Sequence, residues 1–415
     1  MRESAGAITP RTDIVPVVIG GDWSTYPIAR EFYEAFGVTS ACVLAYPVDI
    51  VKHSRLIKME LTPNMSDAEV GRGIERVAEK NPGKRLVLVA NSDDRVEQVE
   101  RLLPSLPDSV VFGSAPHELV SRVSDKVRFQ ELCASCELDV PATEVVRLAG
   151  PGPVAPSAVP FPVVAKPAVS SEYVNLYLKG FKKVYFAREQ AELDRLWAEL
   201  RAAGFEGDFL VQELVPGDDT CKDNIIVYCG SDGRPTLLAS ATTIVEDHAP
   251  MYFGNAVTMV TRPMPELWDR LSRMLEGIGW RGFASIDLKR DPTTGRAVFM
   301  DFNPRVGSNS YYVCAAGANP MRALVSDLVD GERGETVRAE REAIYTRAPV
   351  SLARRYIRDA ELLARFNELA RAGRVVSPLR MRGDSLRSQL MGRVMELNYV
   401  RKLRASYPEP TDTSF

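Results

Sequence analysis

Histidine is scarce in this sequence, with three in 415 residues, and the six cysteines (Cys42, Cys133, Cys136, Cys221, Cys229, Cys314) lack the spacing of a disulfide framework. Cys133 and Cys136 form one CxxC pair. A structural zinc site ordinarily needs a second such pair or histidines close by, and neither is there, so buried reduced thiols are expected. No apolar run is long enough to span a bilayer, and MRESAGAITPR has no apolar stretch before the short VPVVIG run. Both absences point to a cytoplasmic protein. Charge of one sign is not in excess either: 52 basic against 55 acidic residues leave a net charge of −3, with no general reason to bind nucleic acid or an anionic membrane. Any affinity for phosphate must be local. No internal repeat is visible, which excludes a duplicated catalytic architecture.

With 45% hydrophobic residues the chain can bury a large core, and its length predicts two or three packed domains. IVPVVIGG, IAREFYEAF, ACVLAY, EVGRGIERVAEK and RLVLVAN alternate in βαβαβ order, predicting an open parallel sheet over about residues 10 to 120. Gly20 and Gly21 close the first apolar run without the GxGxxG spacing, as either a tight strand-to-helix turn or a ligand contact, in which case substrate is favoured over a dinucleotide. VSDKVRFQELCASCEL predicts a helix capped by Ser124, and VPATEVV a short extended piece. AGPGPVAPSAVPFP reads as a linker or surface loop between two folding units. FPVVAKP, DFLVQEL, NIIVYCG, TLLASATTI, AVTMVTR, GFASIDLKR and AVFMDFNPR then follow as strands with few helices between them, which implies an antiparallel sheet. After about residue 335 the pattern becomes helical and rich in arginine.

Three clusters carry chemistry. Asp287 in ASIDLKRD, and Asp301 and Asn303 in VFMDFNPRVG, lie on two consecutive strands joined by a turn; strand alternation puts Asp301 and Asn303 on one face. Two carboxylates and an amide oxygen suit magnesium. Lys126, Lys166 and the pair Lys182 and Lys183 form a cationic set, of which Lys166 ends an apolar strand and calls for a facing anion. VQELVPGDDT supplies a hinge, Gln212, Glu213, Leu214 and Val215, able to read an adenine edge with backbone groups, and an acid, Asp219, able to hold ribose.

In this order the residues resemble the ATP-grasp superfamily, and the wording FPVVAKP…GFKKVY…VQELVPGDD…GFASIDLKRD…FMDFNPRVG…YYVCAAG looks like the D-aspartate ligase branch of carboxylate–amine ligases over about residues 120 to 330. The resemblance implies an α+β ATP-grasp domain with an antiparallel sheet (121–335) and is compatible with an N-terminal Rossmann-like (pre-ATP-grasp) α/β domain (1–120); the C-terminal helical appendage (336–415) is unmatched by it and rests on the helical pattern alone. It implies ATP and Mg²⁺ as cofactors, with Mn²⁺ an alternative. Lys126 and Lys166 would hold phosphates, Glu213 and Val215 border the adenine, Asp219 hold ribose, and Asp287, Asp301 and Asn303 carry the metal. Lys166 and Arg305 would be catalytic, neutralising charge as a carboxylate attacks the γ-phosphate to give an acyl phosphate that an amine then captures. Two features depart from the superfamily: Asp301 stands where glutamate is more common, and the phosphate-covering loop offers Ser170, Ser171 and Gly180 in place of a Gly-Gly run. The D-aspartate ligase branch is similarly poor in glycine there.

The partners expected are a small carboxylate, such as D-aspartate, and an amine, such as a side-chain amine of a cell-wall peptide precursor. Glu246, His248, Asn255, Ser308 and Asn309 are candidate contacts beside Gly20 and Gly21, and a homodimer is an allowed assembly. Other readings are a ligase making a dipeptide or amide elsewhere in metabolism, a kinase of the same fold, and a non-catalytic nucleotide-binding module.

Overall fold

The computed structural model describes residues 9–150, 152–169, 173–177, 179–250, 252–332 and 334–415. The first sheet starts from β1 (Ile14–Ile19), whose six residues are all buried, as in a strand covered on both faces. β2 (Ser40–Leu44), β3 (Ile57–Leu61), β4 (Arg85–Ala90) and β5 (Val110–Val111) join it in parallel in the order β3-β2-β1-β4-β5. Helices Thr25–Phe36, Asp67–Glu79 and Asp93–Leu102 connect the strands. This is the α/β unit the sequence predicts. The pattern did not reveal β3, an edge strand that is mostly solvated.

A second sheet holds β6 (Thr143–Arg147), β7 (Val163–Pro167), β8 (Tyr185–Ala187) and β9 (Asp208–Glu213), antiparallel in the order β6-β9-β7-β8. The helix Gln190–Ala202 covers it, packing Leu193, Trp197 and Leu200 with Phe209 and Val163. The proline-rich stretch before β7 therefore joins two strands of one sheet and is a surface loop, not a link between folding units.

The third sheet has eight strands among the described residues: β10 (Lys222–Cys229), β11 (Pro235–Asp247), β12 (Asn255–Thr261), β13 (Gly282–Arg290), β14 (Ala297–Asn303), β15 (Val337–Ala339), β16 (Ile344–Thr346) and β17 (Val375–Val376). Their order is β14-β13-β10-β11-β12-β16-β17, with β15 on β11; only β15 with β11 and β16 with β17 run parallel. The helix Pro265–Gly277 buries Trp268, Leu271 and Leu275 against one face.

Helices Ala360–Arg371 and Leu386–Ser406 bear out the helical character of the final part, but β15, β16 and β17 in that part are strands. At two or three residues each they are too short to show a period. Ahead of the last helix, Asp384 accepts from Ser54 Oγ at 2.9 Å and the Arg55 amide at 2.7 Å, fastening this part to the first sheet's connections. Among the described residues no helix is long and apolar enough to cross a membrane.

One helix start is corrected. The stretch expected to begin at Ser124 is two helices, His117–Ser124 and Lys126–Ser135, and Asp125 caps the second by accepting from the Val127 and Arg128 amides at 2.9 and 3.0 Å. The Ser124 hydroxyl is buried without a partner among the described residues. A carboxylate fixed one residue ahead of Lys126 sets where that lysine leaves the helix.

Candidate active site

The β13–β14 hairpin brings the metal-ligand candidates together. Asp287 pairs with Asp301 across the ladder and Ser285 with Asn303, while Leu288 pairs with Phe299, so Met300 is a bulge. The extra residue lets Met300 and Asp301 both line a cleft while Phe299 and Phe302 both enter the core. Strict alternation would have put those phenylalanines on opposite faces of the strand; with the bulge both reach the core, and Phe302 also borders the cleft.

Asp287 accepts from Asn224 Nδ2 at 2.8 Å and from Asn303 Nδ2 at 3.1 Å. Burial pushes its carboxyl up to about 6, against those hydrogen bonds. Asp301, with a side chain 38% exposed, stands 3.5 Å from Lys166 Nζ and 3.8 Å from Lys126 Nζ. Desolvation in the cleft works to raise the Asp301 carboxyl, but Lys166, Lys126 and Lys183 outweigh it and hold it below the ordinary range. Burial lowers the Lys166 ammonium, with Asp301 opposing. Arg305 donates to Asn303 Oδ1 at 3.2 Å, and its Nε lies 2.8 Å from Asp93 Oδ1, an ion pair to the first residue of the helix Asp93–Leu102. The oxygens of Asp287, Asp301 and Asn303, with cations beyond them, fit a hard divalent ion bridging phosphates.

The cleft, about 710 Å³, lies between the second and third sheets. At its hinge the Glu213 and Leu214 amides are bonded to the Ala142 and Pro162 carbonyls, and the Glu213 carboxylate accepts from the Ala142 amide at 3.0 Å. Gln212 Nε2 donates to Thr143, while its buried Oε1 has no partner among the described residues and is free to accept from an exocyclic amine. Val215, Lys183, Glu246, Asn255, Ser308 and Asn309 also line the cleft.

Other candidates fall elsewhere. Asp219 does not line the cleft: it is buried, accepting from the Glu246 amide at 3.0 Å and bonded to His248 Nε2 at 2.9 Å. His248 is in turn stacked flat on Tyr407, which uses the ring for packing instead of for a ligand. Lys182 is exposed off the cleft. Gly20 and Gly21 are also outside it. A Cβ on Gly20, at φ +132°, would overlap the Asn91 side chain that bonds Asp22, and one on Gly21 would meet the Tyr46 carbonyl at 2.8 Å, so the pair serves internal packing. Ser170 and Ser171 lie outside the described residues.

Sequence reasoning missed Lys222 and Lys289, directly opposed on β10 and β13. Lys222 is paired with Glu246 at 2.5 Å, and burial, with Lys222 adding, pushes Lys289 down to about 8. Period two along KDN and DLK would have found both, since Lys222 shares a face with Asn224 and Lys289 with Asp287. Asp93, Asp94 and Glu97, which line the cleft from the first unit, carry no local signal.

No protein-family model matches the chain. Over 408 residues it is 24% identical to a D-aspartate ligase of Enterococcus faecium (strain Aus0004), covering 94% of this chain and 96% of that one. In fold it is similar to an L-amino acid ligase from Bacillus licheniformis (TM-score 0.51, 14% identity, 76% of this chain and 74% of that one). It is similar also to the biotin carboxylase domain of Hydrogenobacter thermophilus 2-oxoglutarate carboxylase, solved as a dimer with MgADP and bicarbonate (TM-score 0.56, 13% identity, 79% and 73%). In fold, and in sequence over nearly its whole length, the chain is thus similar to ATP-grasp carboxylate–amine ligases.

Proposed function

We propose that the chain activates a small amino-acid carboxylate, with D-aspartate the leading candidate, as an acyl phosphate at the expense of ATP, and joins it to an amine. A side-chain amine of a cell-wall peptide precursor is the candidate acceptor. The reading rests on one observation: Lys126, Lys166, Asp287, Asp301, Asn303 and Arg305, drawn from three separate stretches of chain, converge in a single cleft. The full-length similarity to a D-aspartate ligase supports the substrate class.

Magnesium, when bound, neutralises charge on the phosphate oxygens; Asp287, Asp301 and Asn303 would hold it. Lys166 holds phosphate oxygens from the second sheet, and Lys126 from the start of the helix Lys126–Ser135, which packs against the third. Arg305 sits where it can stabilise the transferring phosphoryl group and then the acyl phosphate. Gln212 and the hinge orient the base. Asp93, Asp94 and Glu97 give the opposite wall a negative potential suited to an ammonium substrate. The chemistry asked of these groups is positioning and fixed charge.

The test is release of inorganic phosphate from Mg-ATP with a panel of D- and L-amino acids, each offered with and without amines. Phosphate release that needs one carboxylate and one amine, with an amide formed, is the expected result. ADP without phosphate would replace this reading with a kinase, and nucleotide binding without turnover on any pair would replace it with a binding module.

A further inference from the structure

The chain after the helix Leu386–Ser406 runs back over the cleft. The Gly217 amide, in the turn after the hinge, donates to the Asp412 carbonyl at 3.2 Å, and Arg358 pairs with the Asp412 carboxylate. Phe415 lines the cleft. Its ring stacks on Phe186 of β8 (centroids 5.7 Å apart, planes at 12°) and on Phe253 of the β11–β12 connection (5.3 Å, 22°). Phe253 meets His248 edge-on at 5.3 Å, and His248 lies on Tyr407 at 3.5 Å and 7°. A run of rings thus leads from the second sheet, through Phe415, to the third sheet and back to the start of the same segment. Lys183 Nζ, donating to the Phe253 carbonyl at 3.4 Å, spans the same gap.

We infer that residues 407–415 are a clamp on the active site: Phe415, held between Phe186 and Phe253, ties the second sheet to the third across the mouth of the cleft and keeps it closed over nucleotide and activated carboxylate. Offset stacking of this kind is weak enough to open at each turnover and directional enough to set the closed position. The Asp219–His248 bond gives the clamp a fixed footing on the hinge side, which accounts for a buried carboxylate and imidazole that the cleft itself does not use. Closure matters because water attacking the acyl carbon breaks its C–O bond to phosphate. Inorganic phosphate leaves, the carboxylate is regenerated, a proton goes to solvent, and no amide forms.

The coupling part of this inference rests on the ligase reading; the closure part does not. Phe415→Ala and Phe415→Tyr are compared with the parent in full-length protein. Tryptic cleavage at Lys179 and Lys182, both exposed beside β8, is timed with and without Mg-ADP, and phosphate released per amide formed is measured with the active substrate pair. For Phe415→Ala we expect cleavage in the presence of Mg-ADP to quicken roughly tenfold, Mg-ADP affinity to fall by a similar factor, and the phosphate-to-amide ratio to rise severalfold. Phe415→Tyr should match the parent in all three. Unchanged cleavage in Phe415→Ala, tighter Mg-ADP binding there, or a Phe415→Tyr as impaired as the alanine variant would each overturn the clamp. A parent that forms no amide with any pair would overturn the ligase reading while the cleavage times still decide the clamp.

Discussion

Lys166 and Asp301 come from different sheets and face each other at 3.5 Å, so neither is needed to hold its own strand in place. Lys166→Ala and Asp301→Ala should each lower turnover by about 10²–10³ with little change in melting temperature, checked by steady-state rates beside thermal unfolding. A variant with near-parent turnover would remove that residue from the chemistry. Glu31 behaves differently. It is fully buried, accepts from Ser310 Oγ at 2.6 Å through one oxygen, and has no partner for the other among the described residues. Burial pushes its carboxyl up to about 8, from an ordinary 4.5. Between those two values the folded chain keeps a proton that the unfolded chain has given up, so stability falls as pH rises through that window. Glu31→Gln should flatten the decline in melting temperature between pH 5 and pH 8; an unchanged slope would mean that Glu31 is ionised in the fold. At this scale the sequence was most readable where strand alternation applies. Asp287, Asp301 and Asn303 could be placed together on a hairpin, although not the bulge beside Asp301. Asp219 and His248 could not be placed. A carboxylate near a hinge looks the same whether it faces a ligand or a histidine 29 residues away.

The helix Lys126–Ser135 shows how an element delivers a side chain. Because the Asp125 carboxylate holds its first turn, Asp125→Ala should cost about 1 kcal/mol of stability and, by releasing Lys126, raise KM for Mg-ATP severalfold. Ser124→Ala should change neither the denaturation midpoint nor KM; if it alone weakened both, the cap assignment would be wrong. The predicted cap was one residue early because Ser and Asp are equally good caps by composition. Only the break between two short helices selects between them. Long apolar strands, β9 to β14 above all, were legible because burial on one or both faces leaves a pattern over six residues or more. The three short strands of the last part take their strand character from their neighbours' free backbone groups, not from their own residues.

In the whole molecule, the part after residue 335 completes a sheet begun more than a hundred residues earlier. β16 covers the edge of β12, β15 lies along β11, and Phe366, Leu403 and Tyr407 bury Val245 and Val257. The proposed units 121–335 and 336–415 are therefore expected to unfold together. A chain cut back to residues 1–335 should be insoluble, its β12 edge and apolar face uncovered. Soluble 1–335 with the parent's melting temperature, measured by sedimentation and calorimetry, would show the last part to be a separate appendage. The order of the units was readable from the alternation of apolar runs, but this interlocking was not, since pairing between distant strands leaves no trace in either segment. The pairing also bears on how the protein is made. On a ribosome adding about 5–20 residues per second, β12 emerges several seconds before β16, and Asp384 reaches Ser54 later still, across 330 residues of chain. For that interval the nascent central sheet has an unprotected border, and covering it waits on residues made well after the sheet's own core strands.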